Sequence, residues 1–151
     1  MLYTCAMPRG YWLMKSEPDA FSWSDLVRDG STLWDGVRNY QARNHLRSMR
    51  AGDHALLYHS ISDKAVVGIM EVRAEAQPDP TALSGDWSVV TVVPLRPLKA
   101  PVTLASLKSD PALADLPLIR QNRLSVMPLT PDHYRHILSL GGLGDMRDAT
   151  D

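Results

Sequence analysis

Four arginines are gathered in residues 38–50 of a chain whose formal net charge is only -1. They are Arg38, Arg43, Arg47 and Arg50. The last three recur at spacings of four and three, which places them on one face of a helix. An ordinary solvated helix face would interleave acidic residues at such spacings, but this stretch has none. Arginines without local acidic partners suit phosphate oxygens, which a guanidinium binds in a bidentate way. We therefore predict four phosphate contacts, with a solvated helix face as the alternative.

Trp34 lies just ahead of the arginines, beside an Asp35-Gly36 turn signal. Tryptophan has a large apolar surface and usually belongs to a core. At the edge of a cleft, however, an indole can stack on a nucleobase, which contributes roughly 1–3 kcal/mol per base. Because of its position beside the turn and the arginines, we interpret Trp34 as a wall of a base pocket and keep the core as its alternative.

Two predicted strand ends carry further polar groups. They are Lys15, Ser16 and Glu17 after the first strand, and Tyr58, His59 and Ser60 at the end of a later one. Strand ends that open onto loops often form binding sites, although ordinary polar turns look the same. Neighbours in a strand point to opposite faces and no G-x-S-x-G motif occurs, so the His-Ser pair is weak support for a hydrolase.

Length and composition exclude several classes of protein. The 151 residues favour one domain with an ordinary core. A single cysteine permits no disulfide framework, and the five histidines show no metal-ligand spacing. No apolar run approaches the roughly 18 residues of a membrane span. We expect a cytoplasmic protein with no cofactor, no metal and no membrane partner.

The pattern along the chain predicts an α+β protein. Runs rich in Val, Ile and Tyr predict strands at 11–15, 32–34, 54–60, 65–76, 87–95 and 123–129. Capping residues predict helices at 22–30, 39–52, 103–109 and 131–140. Strands dominate the middle and helices the ends, so the simplest architecture is a small twisted barrel with helices packed outside. We expect a flexible leader at 1–10, one domain at 11–142 and a tail at 143–151.

Several long segments in this order resemble the EVE domain family. They are "YWLMKSEPDAFSWSDL", "WDGVRNYQARNHLRSMRAGD", "LYHS", "VVGIMEV", "PDPTA" and "RLSVMPL", and together they span about residues 11 to 140. The resemblance implies a PUA-like pseudo-barrel of mostly antiparallel strands, related in fold to the YTH readers. It also implies a module without catalytic activity that reads modified bases, chiefly modified cytosine in DNA and also modified RNA.

The resemblance carries over residue by residue. The matching positions are Lys15, Ser16, Glu17, Trp34, Val37, Arg38, Asn39, Tyr40, Arg43, Tyr58, His59, Ser60, Arg123, Leu124 and Ser125. Leu57 stands where the family pattern has Phe, and Tyr134 stands where another aromatic, often Trp, is usual. Both residues keep apolar bulk at their positions.

These observations predict a nucleic-acid-binding module that accepts an unpaired modified base. Trp34 and Tyr58 would form the pocket walls. The base edge would be read by Lys15, Ser16, Asn39 and Ser60. Two alternatives stay open: a small-molecule binder or hydrolytic enzyme that uses the same cavity, and a protein-interaction module.

Overall fold

The computed structural model describes residues 9–121 and 123–143. The described residues form six strands, which are β1 (Tyr11–Ser16), β2 (Thr32–Leu33), β3 (His54–His59), β4 (Ala65–Pro78), β5 (Ser88–Thr103) and β6 (Val126–Leu129). Their α-helices are α1 (Trp23–Asp29), α2 (Tyr40–Ser48), α3 (Leu104–Ser109), α4 (Pro117–Arg120) and α5 (Pro131–Leu140), with a 3-10 turn at Pro111–Leu113. The predicted α+β class is confirmed.

All six strands belong to one sheet in the order β2-β5-β4-β3-β1-β6. The β1–β3 pair is parallel and the other pairs are antiparallel. Within the described residues, β2 and β6 are edges of the sheet, so its hydrogen bonding does not close into a full barrel. Helix α2 contacts β4, β5 and β6. It therefore packs across the sheet and joins strands from its two halves.

The parallel β1–β3 pair explains why two polar strand ends meet. Lys15 lies opposite Tyr58 and Ser16 opposite His59 in the register. Parallel strands end at the same edge of a sheet, and the N–H of Ser60 continues the pairing by donating to Ser16 O at 2.9 Å. The polar segments at the ends of β1 and β3 are thus neighbours in the structure.

Strand β3 is buried along its whole length and forms the centre of the core. Leu56 and Leu57 are both fully buried, so the apolar residues of β3 face both sides of the sheet instead of alternating with polar ones. Its first residue, His54, is also buried and hydrogen-bonds through Nδ1 to the Tyr134 hydroxyl of α5 at 2.8 Å. Helix α5, which begins after the Thr130 cap as predicted, is fixed to the sheet by this contact.

Helix α1 is held against the sheet by Trp23. Its cap agrees with the prediction: Ser22 and Asp25 form a capping box, and Gly30 ends the helix with φ of 80°. A Cβ at Gly68 would lie 2.5 Å from Cζ3 of Trp23, so only glycine allows the indole to lie against β4. The backbone N–H of Trp23 also donates to His59 Nε2 at 3.0 Å.

Helix α2 begins at its predicted Asn39 cap but ends before its predicted end. The Asn39 side chain accepts the N–H of Ala42 at 2.9 Å. Met49 is extended (φ -71°, ψ 146°), so the prediction that the helix continues to Gly52 is wrong. The physical reason is the buried Asp53 carboxylate, which accepts the Arg50 N–H at 3.0 Å and gives that backbone group a non-helical partner. Arg50 therefore lies in the turn after the helix.

Strand β5 extends beyond the predicted 87–95 run to Thr103. Prolines discourage the prediction of a strand because they cannot donate to the ladder. Pro94 and Pro97 nevertheless pair with β4, and the register shifts between their pairs accommodate them as irregularities.

The described residues include only the inner ends of the predicted leader and tail. Arg9 Nε donates to Gly52 O at 2.9 Å, and Gly10 N–H donates to Asp53 Oδ1 at 2.9 Å. Leu143 is buried, while 1–8 and 144–151 lie outside the described residues. No helix of the described chain is both long and apolar enough to cross a membrane.

Candidate functional site

A cleft of about 390 Å³ opens where β1 ends. Three short segments converge on it: the end of β1, the turn before α1, and β2 with the turn that follows. The lining residues are Lys15, Ser16, Ala20, Phe21, Thr32, Leu33, Trp34 and Asp35. The structure thus brings together three residues predicted from distant parts of the sequence, Lys15, Ser16 and Trp34.

Two aromatic rings form walls of the cleft. Trp34 is 7% exposed and packs edge-to-face with Phe21, with centroids 6.4 Å apart and an interplanar angle of 89°. The backbone N–H of Trp34 donates to Val90 O at 2.8 Å, and Ser16 Oγ donates to the backbone oxygen of Phe21 at 2.7 Å. Hydrogen bonds to the main chain therefore hold both aromatic residues in place, so the walls are largely preformed.

Oppositely charged side chains also line the cleft. Lys15 is half-buried, and this burial lowers the pKa of its amino group below the ordinary lysine value. Its backbone N–H is fixed by Ser125 O at 2.9 Å. Asp35 is exposed, and its N–H donates to Leu33 O within the turn that follows β2. The cleft can therefore present an ammonium donor and a carboxylate acceptor to a planar polar ligand.

The buried carboxylate of Asp79 joins the cleft turn to the β4–β5 loop. It accepts hydrogen bonds from Gly36 N at 3.0 Å and Arg38 Nη1 at 2.9 Å, and from both the N–H and the hydroxyl of Thr81 at 2.7 Å. Burial alone would raise the pKa of Asp79, but these hydrogen bonds outweigh it and hold the pKa well below its usual range. Asp79 is therefore a charged anchor for the turn that carries Trp34.

The β4–β5 loop also supplies acidic partners to the arginines of α2. Arg47 Nη2 lies 2.7 Å from Asp86 Oδ1, and Arg47 Nε donates to Ser88 Oγ at 2.9 Å. Arg43 Nη1 donates to the backbone oxygen of Asp86 at 3.1 Å. Arg50 is exposed and makes no ion pair with any residue of the described ranges. Acidic residues absent from the local sequence are thus provided by tertiary structure.

Two aromatic rings stack beside these arginines. Tyr40 and Trp87 have centroids 5.0 Å apart and an interplanar angle of 20°. The Cζ of Arg38 lies 5.6 Å from the Trp87 centroid, and that of Arg43 lies 5.0 Å from the Tyr40 centroid. We call these four residues the aromatic–arginine surface. It is not part of the cleft lining, although one short turn connects the two.

Tyr58 and His59 lie in the core beside the cleft and are absent from its lining. Tyr58 is 3% exposed, and burial raises the pKa of its hydroxyl. His59 is buried, accepts the Trp23 N–H through Nε2, and hydrogen-bonds to Asp63 Oδ2 through Nδ1 at 2.8 Å. Since Nε2 is the acceptor, the proton of the neutral ring lies on Nδ1. Acid–base catalysis by His59 would require loss of one of these bonds.

The other predicted residues lie around the cleft or in a second recess. Asn39, Arg123 and Leu124 line a polar recess of about 300 Å³ with Gln41 and Gln121. Val37 is buried, whereas Glu17 is exposed at the end of β1. Ser60 and Ser125 make backbone hydrogen bonds to the two cleft residues of β1.

Sequence reasoning missed part of the cleft and half of the aromatic stack. Phe21, Thr32, Leu33 and Asp35 line the cleft, and Trp87 completes the stack. Two signals were present: Phe21 follows the first polar strand end by only a few residues, and Asp35 adjoins Trp34. Trp87 had no such signal, because its proximity to Tyr40 arises from the return of β5 past α2.

No group of three His, Cys, Asp or Glu side chains within residues 9–121 and 123–143 could hold a metal ion.

A family model described as the EVE domain matches residues 10–140 of this sequence. The chain belongs to the EVE domain family. Among curated relatives, human thymocyte nuclear protein 1 is 37% identical over an alignment of 164 positions, gaps included, which covers 86% of this EVE domain protein and 73% of the human one.

Solved structures share the fold of this EVE domain. A protein from Agrobacterium tumefaciens superposes with a TM-score of 0.89 at 40% identity, over 94% of this chain and 99% of that one. Human THYN1 in complex with DNA that contains 5-methylcytosine superposes with a TM-score of 0.81 at 36% identity, over 87% of this chain and 97% of the human chain. A similar protein of the family is thus known in complex with DNA that contains a modified cytosine.

Proposed function

We propose that this EVE domain binds DNA that carries a modified cytosine and accepts that base, unpaired, in the cleft at the end of β1. The observation that carries the proposal is a preformed cleft with two aromatic walls and two opposite charges, which one short turn joins to an arginine-bearing helix. The complex of the human relative with 5-methylcytosine-containing DNA supports the choice of ligand.

The lining of the cleft suits the groups that a cytosine presents. Trp34 and Phe21 offer apolar and aromatic surface for the ring and for a methyl group at its fifth carbon. The carboxylate of Asp35 can accept from the exocyclic amino group, which is the pairing that acidic side chains make with cytosine. Lys15 can donate to an acceptor of the base edge.

Extrusion of the base from a duplex costs a few kcal/mol, and stacking and edge hydrogen bonds in the cleft would offset that cost. The cost is smaller for an unpaired or single-stranded base. We therefore propose that single-stranded or mismatched DNA binds more tightly than a perfect duplex with the same modification.

The arginines would hold the flanking backbone in this proposal. Arg43 and Arg47 share one acidic partner, Asp86, which is 78% exposed and can exchange for a phosphate. Arg50 is exposed and needs no such exchange. Phosphate contacts make affinity salt-dependent without selecting a base.

The proposed role is binding without catalysis. Both ring nitrogens of His59 are held by protein groups, and the cleft lining contains no histidine or cysteine. The Ser16 hydroxyl donates to Phe21 O, so the lining residues present neither a free Ser16 hydroxyl nor a hydroxyl–histidine or thiol–histidine pair.

Fluorescence anisotropy with short oligonucleotides tests the proposal. The probes carry cytosine, 5-methylcytosine, 5-hydroxymethylcytosine or N6-methyladenine, as DNA and as RNA, at low and moderate salt. We expect a preference for a modified cytosine in DNA that persists as salt increases. Binding that ignores modification and disappears with salt would contradict the proposal and favour a small-molecule or protein ligand for the cleft.

A further inference from the structure

Tyr40 and Trp87 form an exposed aromatic stack with one uncovered end. Tyr40 is 66% exposed although it is the first residue of α2, and Trp87 packs on one of its faces. Aromatic residues usually bury most of their surface, so Tyr40 leaves an unusually large area of its ring open to a ligand.

The distances show which face of the stack is open. The Cζ of Arg43 lies 5.0 Å from the Tyr40 centroid and 5.9 Å from the Trp87 centroid. On the outer face of Tyr40 it would lie much farther from Trp87 than from Tyr40. Arg43 therefore packs beside the stack, and neither Arg43 nor Trp87 covers the outer face of Tyr40.

A carboxylate and a backbone carbonyl oxygen hold the two guanidinium groups of this surface close to the rings. Arg38 is bound by the buried Asp79, and Arg43 donates to the backbone oxygen of Asp86. Their positive charges remain next to the aromatic faces, as in cation–π contacts. A ligand that stacks on Tyr40 would thus have cationic groups at its edge, which matches the combination of a planar ring and a nearby phosphate in a nucleotide.

The surface lies within reach of DNA held in the cleft. Trp34 and Tyr40 are six residues apart, so their backbones are separated by at most about 22 Å. That span corresponds to about six stacked nucleotides. Gly36 and Arg38, which lie between them, are both fixed to Asp79, so the cleft and the stack are held in a defined relation.

We propose that the outer face of Tyr40 binds a second, unpaired nucleobase of the same DNA, which stacks on the Tyr40–Trp87 pair while the modified base occupies the cleft. This inference rests on the proposed function and deepens it. When one base is extruded, its partner and its neighbours lose stacking contacts. An aromatic platform restores stacking without sequence preference, since every base has a π-face.

The decisive experiment combines a protein variant with an altered DNA. Tyr40→Ala removes the ring from an exposed position, and Tyr40→Phe is the matched control that keeps it. DNA probes carry one modified cytosine and a single abasic site, which is moved along both strands within six nucleotides of it. Affinities of the parent, Tyr40→Ala and Tyr40→Phe are measured for every probe.

We expect Tyr40→Ala to weaken binding of the unaltered probe by about five-fold or more, and Tyr40→Phe to change it little. At one position the abasic site should cause a similar loss in the parent and no additional loss in Tyr40→Ala. The platform would be overturned if the affinity losses from the abasic site and from Tyr40→Ala were additive at every position. It would also be overturned if Tyr40→Ala and Tyr40→Phe lost the same affinity.

The outcome also separates this inference from the proposed function. The platform should raise affinity for modified and plain DNA by the same factor, so Tyr40→Ala should leave the preference for modified DNA unchanged. If the parent prefers modified DNA but no abasic position is coupled to Tyr40→Ala, the proposed function stands and the platform is ruled out. If the parent binds modified and plain DNA equally but one abasic position is coupled to Tyr40→Ala, the assignment of the cleft is ruled out and the platform stands.

Discussion

The cleft and the aromatic–arginine surface contain similar residue types in different surroundings. In the cleft, Trp34 is 7% exposed and hydrogen bonds to the main chain fix both aromatic walls. On the surface, Tyr40 is 66% exposed and the neighbouring Asp86 is 78% exposed. The two regions are joined by one turn that a single buried carboxylate, Asp79, holds in place.

This contrast indicates different contributions to binding. A preformed and partly buried cleft can penalise a ligand whose groups do not match, because the polar groups that become buried on binding are then left unpaired. An exposed stack with guanidinium groups adds affinity for any base and phosphate. We therefore expect selectivity to depend on the cleft and total affinity to depend on both regions.

The largest effect of a change to a polar residue should come from Asp79, which joins the two regions. Asp79→Asn removes the charge that four donors surround, and we expect a loss of about 3 kcal/mol in the free energy of unfolding. Asp86→Asn is the matched control, since its ion pairs are largely exposed and should contribute below about 1 kcal/mol. Urea denaturation of both variants measures the difference. Equal losses would contradict the role of Asp79.

The pKa of Asp79 gives this prediction a dependence on pH. Because the folded pKa is depressed, the stabilisation is complete above the unfolded value of about 3.9 and is lost as the pH falls below it toward the folded pKa. The parent should therefore lose stability on acidification more steeply than Asp79→Asn.

Trp34→Ala should remove one wall of the cleft and leave the aromatic–arginine surface intact. We expect the ratio of affinities for modified and plain DNA to fall to about one, while salt-dependent binding persists. The variant also loses core packing at a cost of about 3–5 kcal/mol, so Trp34→Phe serves as a control that retains an aromatic ring. An unchanged affinity ratio in folded Trp34→Ala would contradict the pocket role.

Arg43→Ala should have a smaller effect that does not depend on the base. The change removes a cationic neighbour of the Tyr40 ring and a proposed phosphate contact, so binding to modified and plain DNA should weaken by the same factor. Arg135→Ala on α5 is the control, because that exposed arginine lies on another element. The slope of affinity against salt should decrease in Arg43→Ala only. A change in the affinity ratio would instead place Arg43 in base selection.

The smallest effect concerns the protonation of Lys15. Because burial lowers its pKa, binding should decline as the pH rises toward the ordinary lysine value of about 10.4, sooner than an exposed lysine would allow. Lys15→Arg should keep its charge and give a flat profile. A single strand of adenine and cytosine, whose rings do not ionise at alkaline pH, is the appropriate probe.

A stability measurement excludes unfolding as the cause of that decline. The folded state disfavours the charged form of Lys15, so the unfolded chain binds more protons between the two pKa values. The contribution of Lys15 to the free energy of unfolding therefore rises with pH in that window. A loss of binding that coincides with unfolding would not support a role for Lys15.

Local patterns predicted most of the elements because their causes are local. The capping box at Ser22 and the Thr130-Pro131 start specified α1 and α5, since a cap satisfies backbone groups of its own helix. The predicted end of α2 was wrong because the competing acceptor, Asp53, lies beyond the helix, directly before β3. The length of β5 was underestimated because irregular pairing with β4 accommodates its prolines.

The candidate site was predicted in part for the same reason. Lys15, Ser16 and Trp34 were selected from strand ends and a turn, and the structure brings them together in one cleft. The roles predicted for these residues stay predictions. The absence of acidic residues near the arginines was read as an absence of partners, yet Asp79 and Asp86 approach from the β4–β5 loop.

The sequence by itself determined the fold class, the family and the local placement of charged and aromatic residues, because propensities, caps and motifs act over a few positions. Only the tertiary structure decided which of these residues face a cleft, which face solvent and which neutralise one another. The pairs that matter are far apart in the chain, such as Arg38 with Asp79 and Tyr40 with Trp87. Such contacts depend on the order of strands in the sheet, which no local pattern specifies.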